Sequence, residues 1–261
     1  MVSQYFQSLI EHSLMVIAEI PDDDVMAVDE TKTFDLSSVE GESNLRLRLN
    51  EKEVNLEEIE ELVAYPKIKR VRFLDLDSNE FGDAGVAVLA ESASLSQLRS
   101  LSLAKNKLTD RALTALGKSQ HLSVLNNLYL QHNSFTVEGF RAIAESETMS
   151  KLKVLYLKAN KLGSEGAKVL AESTTLCNLS ELYLQGAWIG QEGLEALCQS
   201  SILKKIRILN LSYNGLDDRA TKTLCGLDTE MAILDLYGNK ISQNSAETIR
   251  AAGIVQKLLY D

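Results

Sequence analysis

The residue types that most often carry catalysis or bind metals are few in this chain and lie far apart. The histidines and cysteines are His12, His121, His132, Cys177, Cys198 and Cys225. A hydrolytic site needs a nucleophile, a base and an orienting acid together, and a metal site needs several ligands at fixed spacing. No segment supplies either motif, and no glycine-rich phosphate-binding loop follows a strand pattern. The sequence therefore predicts no enzyme, no metal site and no cofactor.

Two patterns that resemble chemical sites have simpler interpretations. Cys198 and Cys225 stand at a repeated position that alanine or glycine otherwise occupies, which favours a role in packing. The acidic run over residues 22–24 lacks the spaced ligands of a calcium-binding loop. We therefore expect that run to be a solvated acidic loop.

Charge is distributed unevenly along the 261 residues, whose formal net charge is −10. Residues 1–44 hold ten acidic side chains and one lysine, whereas residues 45–261 hold 27 acidic and 26 basic side chains. Proteins that bind phosphate backbones normally carry a basic stripe. Neither part supplies one along the sequence, so we expect no nucleic-acid partner.

The composition also bears on the compartment. The apolar stretch over residues 14–20 is short and interrupted, and no basic segment precedes it, so we expect no signal peptide and no membrane contact. Three cysteines, an odd number, do not indicate a disulfide framework. The prediction is a monomer in a reducing compartment, the cytoplasm.

The strongest signal in the sequence is a repeat with a period of 27 residues. Its first column consists of leucines that are 27 residues apart, with the last one following after 25: Leu47, Leu74, Leu101, Leu128, Leu155, Leu182, Leu209 and Leu234. A second leucine follows two residues later, and an asparagine five residues later in most repeats. Each repeat reads L-x-L-x-x-N-x-φ, where φ is apolar, as in residues 155–162.

This pattern predicts one short strand and one helix in each repeat. The L-x-L alternation is typical of a strand with one buried face. The second half of a repeat, such as residues 163–173, has apolar residues at helical spacing and acidic residues in its first turn. Because a single unit cannot bury its own apolar face, the units must stack into a parallel sheet covered by helices. The fold class is therefore α/β, a curved solenoid.

The asparagine column has a physical reason. Where the chain turns from strand to helix, backbone N–H and C=O groups lose their ladder partners, and a side-chain amide can satisfy both kinds. Lys52 and Ala187 replace this asparagine in two repeats.

Over residues 45–257 these motifs resemble the leucine-rich repeat family, specifically its ribonuclease-inhibitor-like class. The resemblance implies a right-handed βα solenoid, a horseshoe with a parallel concave sheet and convex helices. The repeats are shorter than is usual for that class. The implied division is an acidic N-terminal cap over residues 1–44 and a leucine-rich repeat domain over residues 45–261 with about seven to eight repeats.

Both ends need covering, because a solenoid exposes core at its termini. Residues 3–19 have helical apolar spacing, with a face formed by Tyr5, Phe6, Leu9, Ile10, Leu14 and Ile17. We expect this helix to cover the first repeat, and an independent partner-binding helix is the alternative. Residues 249–259 are expected to close the last repeat.

In solenoids of this kind, the residues between the strand leucines line the concave face. Tyr129, Tyr156 and Tyr183 are neighbours at its centre. Tyrosine supplies rigid apolar area with a polar tip and is enriched at binding hot spots. The alternative is that the three rings only stack and stabilise the sheet. The predicted partner-binding residues are Tyr129, Tyr156, Tyr183, Asp75, Asp77, Lys158, Trp188, Tyr213 and Tyr237.

Trp188 is the only tryptophan and occupies a repeat position that is otherwise mostly polar, beside Ala187. Two interpretations stay open. The ring is a partner contact, or it packs locally where Gly186 and Gly190 make room.

These observations lead to a hypothesis of protein–protein recognition through the concave face. Regulation of a partner enzyme, by GTPase activation or inhibition, is the alternative that the family resemblance offers. Compact repeats of this kind also resemble secreted bacterial effectors that act on a host protein, which would place the chain in the host cytosol.

Overall fold

The computed structural model describes residues 4–17 and 44–261, which form a single layered stack of strands and helices. The strands are β1 Leu14–Ile17, β2 Asn44–Arg48, β3 Val71–Asp75, β4 Ser100–Ser102, β5 Asn127–Tyr129, β6 Val154–Tyr156, β7 Glu181–Tyr183, β8 Ile208–Asn210, β9 Met231–Asp235 and β10 Val255–Leu259. The helices are α1 Gln4–Ser13, α2 Leu56–Ala64, α3 Gly82–Glu91, α4 Asp110–Lys118, α5 Val137–Ala144, α6 Gly163–Glu172, α7 Gly190–Gln199, α8 Arg219–Cys225 and α9 Gln243–Ala251.

The ten strands of the described residues form one sheet in sequence order. Strands β2 to β10 run parallel, and β1 pairs antiparallel with β2. The register places each strand leucine beside the equivalent leucine of the next repeat, as in Leu101 beside Leu128 and Leu128 beside Leu155. The α/β solenoid that the repeat predicts is confirmed.

The core lies between the sheet and the helices and runs without interruption through the stack. Strand leucines such as Leu128 and Leu130 are fully buried, and so are helix residues such as Leu113 and Leu197. Acidic residues stand in the first turn of most helices, where the helix dipole favours them. None of the helices in the described ranges is both long and apolar enough to cross a bilayer.

The asparagine column forms a hydrogen-bonded ladder that is continuous from Asn79 to Asn160. The Oδ1 atom of Asn133 accepts from the backbone N–H groups of Asn106 and Leu108, at 3.1 and 3.0 Å. Its Nδ2 atom donates to the carbonyls of Leu103 and Leu130, at 3.0 and 2.9 Å. One amide therefore satisfies two donors and two acceptors of buried backbone, as its place in the repeat predicts.

At Ala187 the ladder is interrupted, and the backbone finds other partners. The N–H of Asn160, which would meet an asparagine there, donates to the carbonyl of Leu157 at 3.2 Å. The N–H of Gly163 donates to the carbonyl of Ala187 at 3.0 Å. Ala187 itself is fully buried. The missing amide is thus compensated by local backbone hydrogen bonds.

The predicted helix over residues 3–19 is wrong at its C-terminal end. Helix α1 ends at Ser13, and Leu14–Ile17 form an edge strand on β2. Phe6 and Ile10 are buried in the core, whereas Tyr5, assigned to the apolar face, is 76% exposed. The open edge of β2 presents unpaired N–H and C=O groups, and pairing with them outweighs one more helical turn. The acidic run over 22–24 and most of the predicted acidic cap lie outside the described residues.

Candidate functional site

The parallel register brings the central concave column together. Ser102 pairs with Tyr129, Tyr129 with Tyr156, and Tyr156 with Tyr183. The rings of Tyr129 and Tyr156 have centroids 5.9 Å apart and are tilted by 32°. Those of Tyr156 and Tyr183 are stacked at 4.2 Å and 17°. The stacking interpretation thus describes a real contact, and partner recognition by the same rings stays a prediction.

The three tyrosines differ in what they offer to a partner. Tyr129 is only 7% exposed, whereas Tyr156 and Tyr183 are half-buried. Burial, followed by a hydrogen bond of 2.8 Å from the Tyr183 hydroxyl to Glu181, raises the pKa of Tyr183 far above its usual range. Burial also raises the pKa of Tyr156. Both phenols are therefore neutral at physiological pH.

An acidic pair flanks the tyrosines on one side. Asp77 accepts hydrogen bonds at its Oδ1 from the Ser102 hydroxyl at 2.5 Å and from the Ala104 N–H at 2.8 Å. Asp75 accepts from the N–H of Asp77 at 3.1 Å. Burial raises the pKa of Asp77 to about 6, and Asp75 adds to this by like-charge repulsion. The two carboxyl groups therefore hold the local backbone as well as lining the surface.

Cationic and neutral polar groups share the depression with this acidic pair. Burial, and then the positive charges of Lys158 and Lys105, lower the pKa of His132, so its imidazole is neutral at physiological pH. Gln131 lies in the same depression, and its Oε1 atom is buried with no hydrogen-bond partner among the described residues. A buried acceptor of this kind needs a donor.

A depression with a volume of about 560 Å³ joins these groups on the concave face. Its lining includes Asp77, Gln131, His132, Tyr156, Lys158 and Tyr183. The depression contains positively and negatively charged groups, neutral hydrogen-bonding groups and aromatic rings. No cluster of three or more acidic, histidine or cysteine side chains positioned to hold a metal ion occurs within the described ranges.

Trp188, Tyr213 and Tyr237 lie beyond the strands, where the chain turns toward the helices. Trp188 is 70% exposed, Tyr213 51% and Tyr237 49%. The rings of Tyr213 and Tyr237 meet edge to face with centroids 5.6 Å apart. Because the Trp188 ring is open to solvent, it does not fill space beside Gly186 and Gly190. Local repacking, one of the two interpretations of this residue, is therefore wrong, and partner contact stays a prediction.

The nine predicted partner-binding residues thus fall into two groups. The first group lines the depression: Asp75, Asp77, Tyr129, Tyr156, Lys158 and Tyr183. The second consists of the three exposed aromatic residues beyond the strands. Sequence reasoning did not single out Gln131, because the lack of a partner for its carbonyl depends on side-chain geometry and has no signature in the repeat.

Five segments of the chain match a family model described as Leucine Rich repeat, over residues 71–90, 95–117, 148–171, 175–198 and 203–225. Each segment covers one parallel strand and the helix that follows it. The chain matches none of the curated proteins compared with it. These five segments therefore match leucine-rich repeats, and they lie within the α/β solenoid described above.

Proposed function

We propose that this protein recognises a protein partner through the concave face of its solenoid. Leucine-rich repeats generally mediate protein–protein interaction, and stacked repeats create extended concave binding surfaces. The observation that carries the proposal is the half-buried pair Tyr156 and Tyr183, stacked at 4.2 Å in the depression of the concave face. Stacking fixes both rings before binding, so little side-chain entropy is lost when a partner contacts them.

The polar groups around the tyrosines define the kind of partner surface that would fit. Asp75, Asp77, Lys105 and Lys158 bring opposite charges into one depression, so a partner surface of mixed charge is favoured over a strongly charged one. The Oε1 atom of Gln131 has no hydrogen-bond partner among the described residues. A partner protein that supplies a donor there, such as a backbone N–H or a hydroxyl, is therefore favoured.

Exposed aromatic side chains extend this surface beyond the depression. Trp188, Tyr213 and Tyr237 present large apolar area in solvent, which is typical of contact sites. A partner that covers the stacked tyrosines and this second group would span several repeats. Tryptophan and tyrosine are also the residues most enriched at binding hot spots.

Site-specific photo-crosslinking tests the proposal directly. A photoreactive amino acid would replace Gln185 or Lys158 on the concave side, and Arg111 or Lys222 on the convex side as matched controls. We expect crosslinked partners in cell lysate from the concave positions only, and their loss when Tyr156 and Tyr183 are both changed to alanine. Equal crosslinking from the convex positions would refute the concave assignment.

More specific forms of the proposal concern the effect of binding on the partner and the compartment in which it takes place. We propose a monomer that acts in the cytoplasm, of the ribonuclease-inhibitor-like class. A regulator of a partner enzyme and a secreted bacterial effector acting on a host protein are two variants. Turnover of the crosslinked partner, measured with and without this protein, separates regulation from simple binding. Capture from host lysate but not from the lysate of the source cells supports the effector.

A further inference from the structure

The parallel strands all begin along one rim of the solenoid, opposite the rim that carries Trp188. The residue just before or at each strand start is hydrogen-bonded to its equivalent in the next repeat. The N–H of Arg99 donates to the carbonyl of Arg72 at 2.8 Å, and the N–H of Arg207 donates to that of Ser180 at 2.7 Å. These residues are therefore stacked neighbours even though 27 residues separate them in the sequence.

This rim gathers positive charge. In the column just described and the one two residues before it, six successive repeats contribute seven basic side chains and no acidic one. We call the set of Arg70, Arg72, Arg99, Lys151, Lys153, Lys205 and Arg207 the basic rim. Charge counted along the chain hides it, because four of the six repeats contribute one or two of these residues each and acidic residues elsewhere in the chain balance them.

Four of the seven basic side chains of the basic rim are open to solvent. Arg99, Lys151, Lys205 and Arg207 are exposed, and none of them forms an ion pair with a described residue. Burial, followed by repulsion from Arg99 and Arg70, lowers the pKa of Arg72. Elsewhere on the surface, basic residues such as Lys107 and Lys168 do pair with glutamates.

A second depression, with a volume of about 440 Å³, lies within the basic rim. It is lined by Asn126, Lys151, Lys153, Asn178, Ser180 and Arg207. The lining combines cations with neutral amides and a hydroxyl and includes no carboxylate. Such a lining favours a ligand that carries both carboxylate groups and backbone amides.

We propose that the basic rim binds an extended, acidic peptide segment of a partner protein. From β4 to β8, cations recur just before β4, β6 and β8, and neutral residues lie just before β5 and β7. Two strand spacings are about 10 Å, which equals about three residues of extended chain. The rim therefore fits a peptide with an acidic residue at every third position, whose intervening amides meet Asn126, Asn178 and Ser180.

Two observations favour a peptide over a nucleic acid. The whole protein carries a net charge of −10, which opposes a long polyanion. The depression of the basic rim contains no aromatic side chain on which bases could stack. An acidic peptide needs only the local cations and the neutral amides between them.

The test is fluorescence anisotropy with a labelled peptide Glu-Ser-Ser-Glu-Ser-Ser-Glu and the full chain. We expect binding that weakens as salt is added. Changing Arg99, Lys151 and Arg207 together to glutamine should weaken it roughly tenfold, as loss of three surface ion pairs implies. The charge-matched control changes Arg111, Lys118 and Lys222, on the convex helices, to glutamine and should leave affinity within about twofold. Equal losses in both variants would overturn the proposal.

Two further probes settle the ligand class. A peptide of the same composition with its three glutamates adjacent should bind more weakly, and equal affinity would overturn the three-residue spacing. A ten-residue thymidine oligonucleotide that binds more tightly than the first peptide would assign the basic rim to nucleic acid instead. Changing Tyr156 and Tyr183 to alanine should leave peptide affinity unchanged, so the basic rim and the concave face are tested separately.

Discussion

The asparagine ladder is continuous from β3 to β6 and interrupted at β7, and the two regions present different surfaces. In the continuous region, the buried amides bond to the backbone, and the side chains beside them are mostly small or charged. At the interruption, backbone N–H groups form hydrogen bonds with backbone carbonyls in place of the amide, and the large ring of Trp188 is exposed beside Ala187. The comparison teaches that a repeat can depart from the pattern where the backbone has a second way to satisfy its groups.

The largest expected effect comes from breaking the continuous ladder. Changing Asn133 to alanine removes four hydrogen bonds to buried backbone, and we expect a loss of about 3 kcal/mol in the free energy of unfolding. Urea denaturation measures it, with the exposed Asn244 changed to alanine as the control. A loss below about 1 kcal/mol would show that every repeat can rearrange as the one at Ala187 does.

The next largest effect is the pH dependence of stability that Asp77 contributes in the continuous region of the ladder. Its folded pKa is about 6 and lies above the unfolded value, so the folded state binds the proton more tightly. Its contribution is therefore full at low pH and is lost as pH rises from about 4 to 6, by on the order of 1–2 kcal/mol. Thermal unfolding of the wild type and of Asp77→Asn between pH 4 and 7 should show that the stability of the wild type falls more steeply with rising pH than that of the variant. Parallel curves would contradict it.

Repairing the interruption should have a smaller effect of opposite sign. Asparagine in place of Ala187 could accept from the N–H groups of Asn160 and Leu162, as its equivalents do in other repeats. We expect a gain of about 1 kcal/mol in the free energy of unfolding. Destabilisation in urea would mean that the backbone around Ala187 has adopted a shape that no longer admits the amide.

The smallest effect concerns the backbone at Trp188. Its φ of 63° lies in the left-handed region, which disfavours residues with a Cβ, and the equivalent residue one repeat later is Gly215 with a φ of 70°. We therefore expect Trp188→Gly to be more stable than Trp188→Ala by about 1 kcal/mol. Differential melting of the two variants measures this. Equal melting temperatures would show that this strain is relieved elsewhere.

Features with the period of the repeat were predictable from the sequence, and features that depend on other contacts were not. The ladder follows from asparagines in phase, because 27-residue units must stack in register. The end of α1 at Ser13 does not follow, because it depends on pairing between Leu14 and Leu47 across the first repeat. The local helical spacing carries no sign of that pairing.

The candidate site shows the same division. The order of Tyr129, Tyr156 and Tyr183 along the concave face followed from the period alone. Their ring angles and the burial of Tyr129 did not, because these depend on how neighbouring side chains pack around each ring. The basic rim was not predicted from the sequence for a further reason. The net charge of a segment carries no information about the face of the fold on which its charged residues lie.

The antiparallel strand β1 has a consequence for how the molecule could change in length. A parallel stack can be lengthened by about 4.8 Å for each added unit, and every unit between β2 and β9 offers the same two faces to its neighbours. The outer edge of β1 runs against that direction and cannot accept another unit in register. Duplication of a 27-residue unit would therefore insert repeats between the ends, enlarging both the concave face and the basic rim while preserving the terminal contacts.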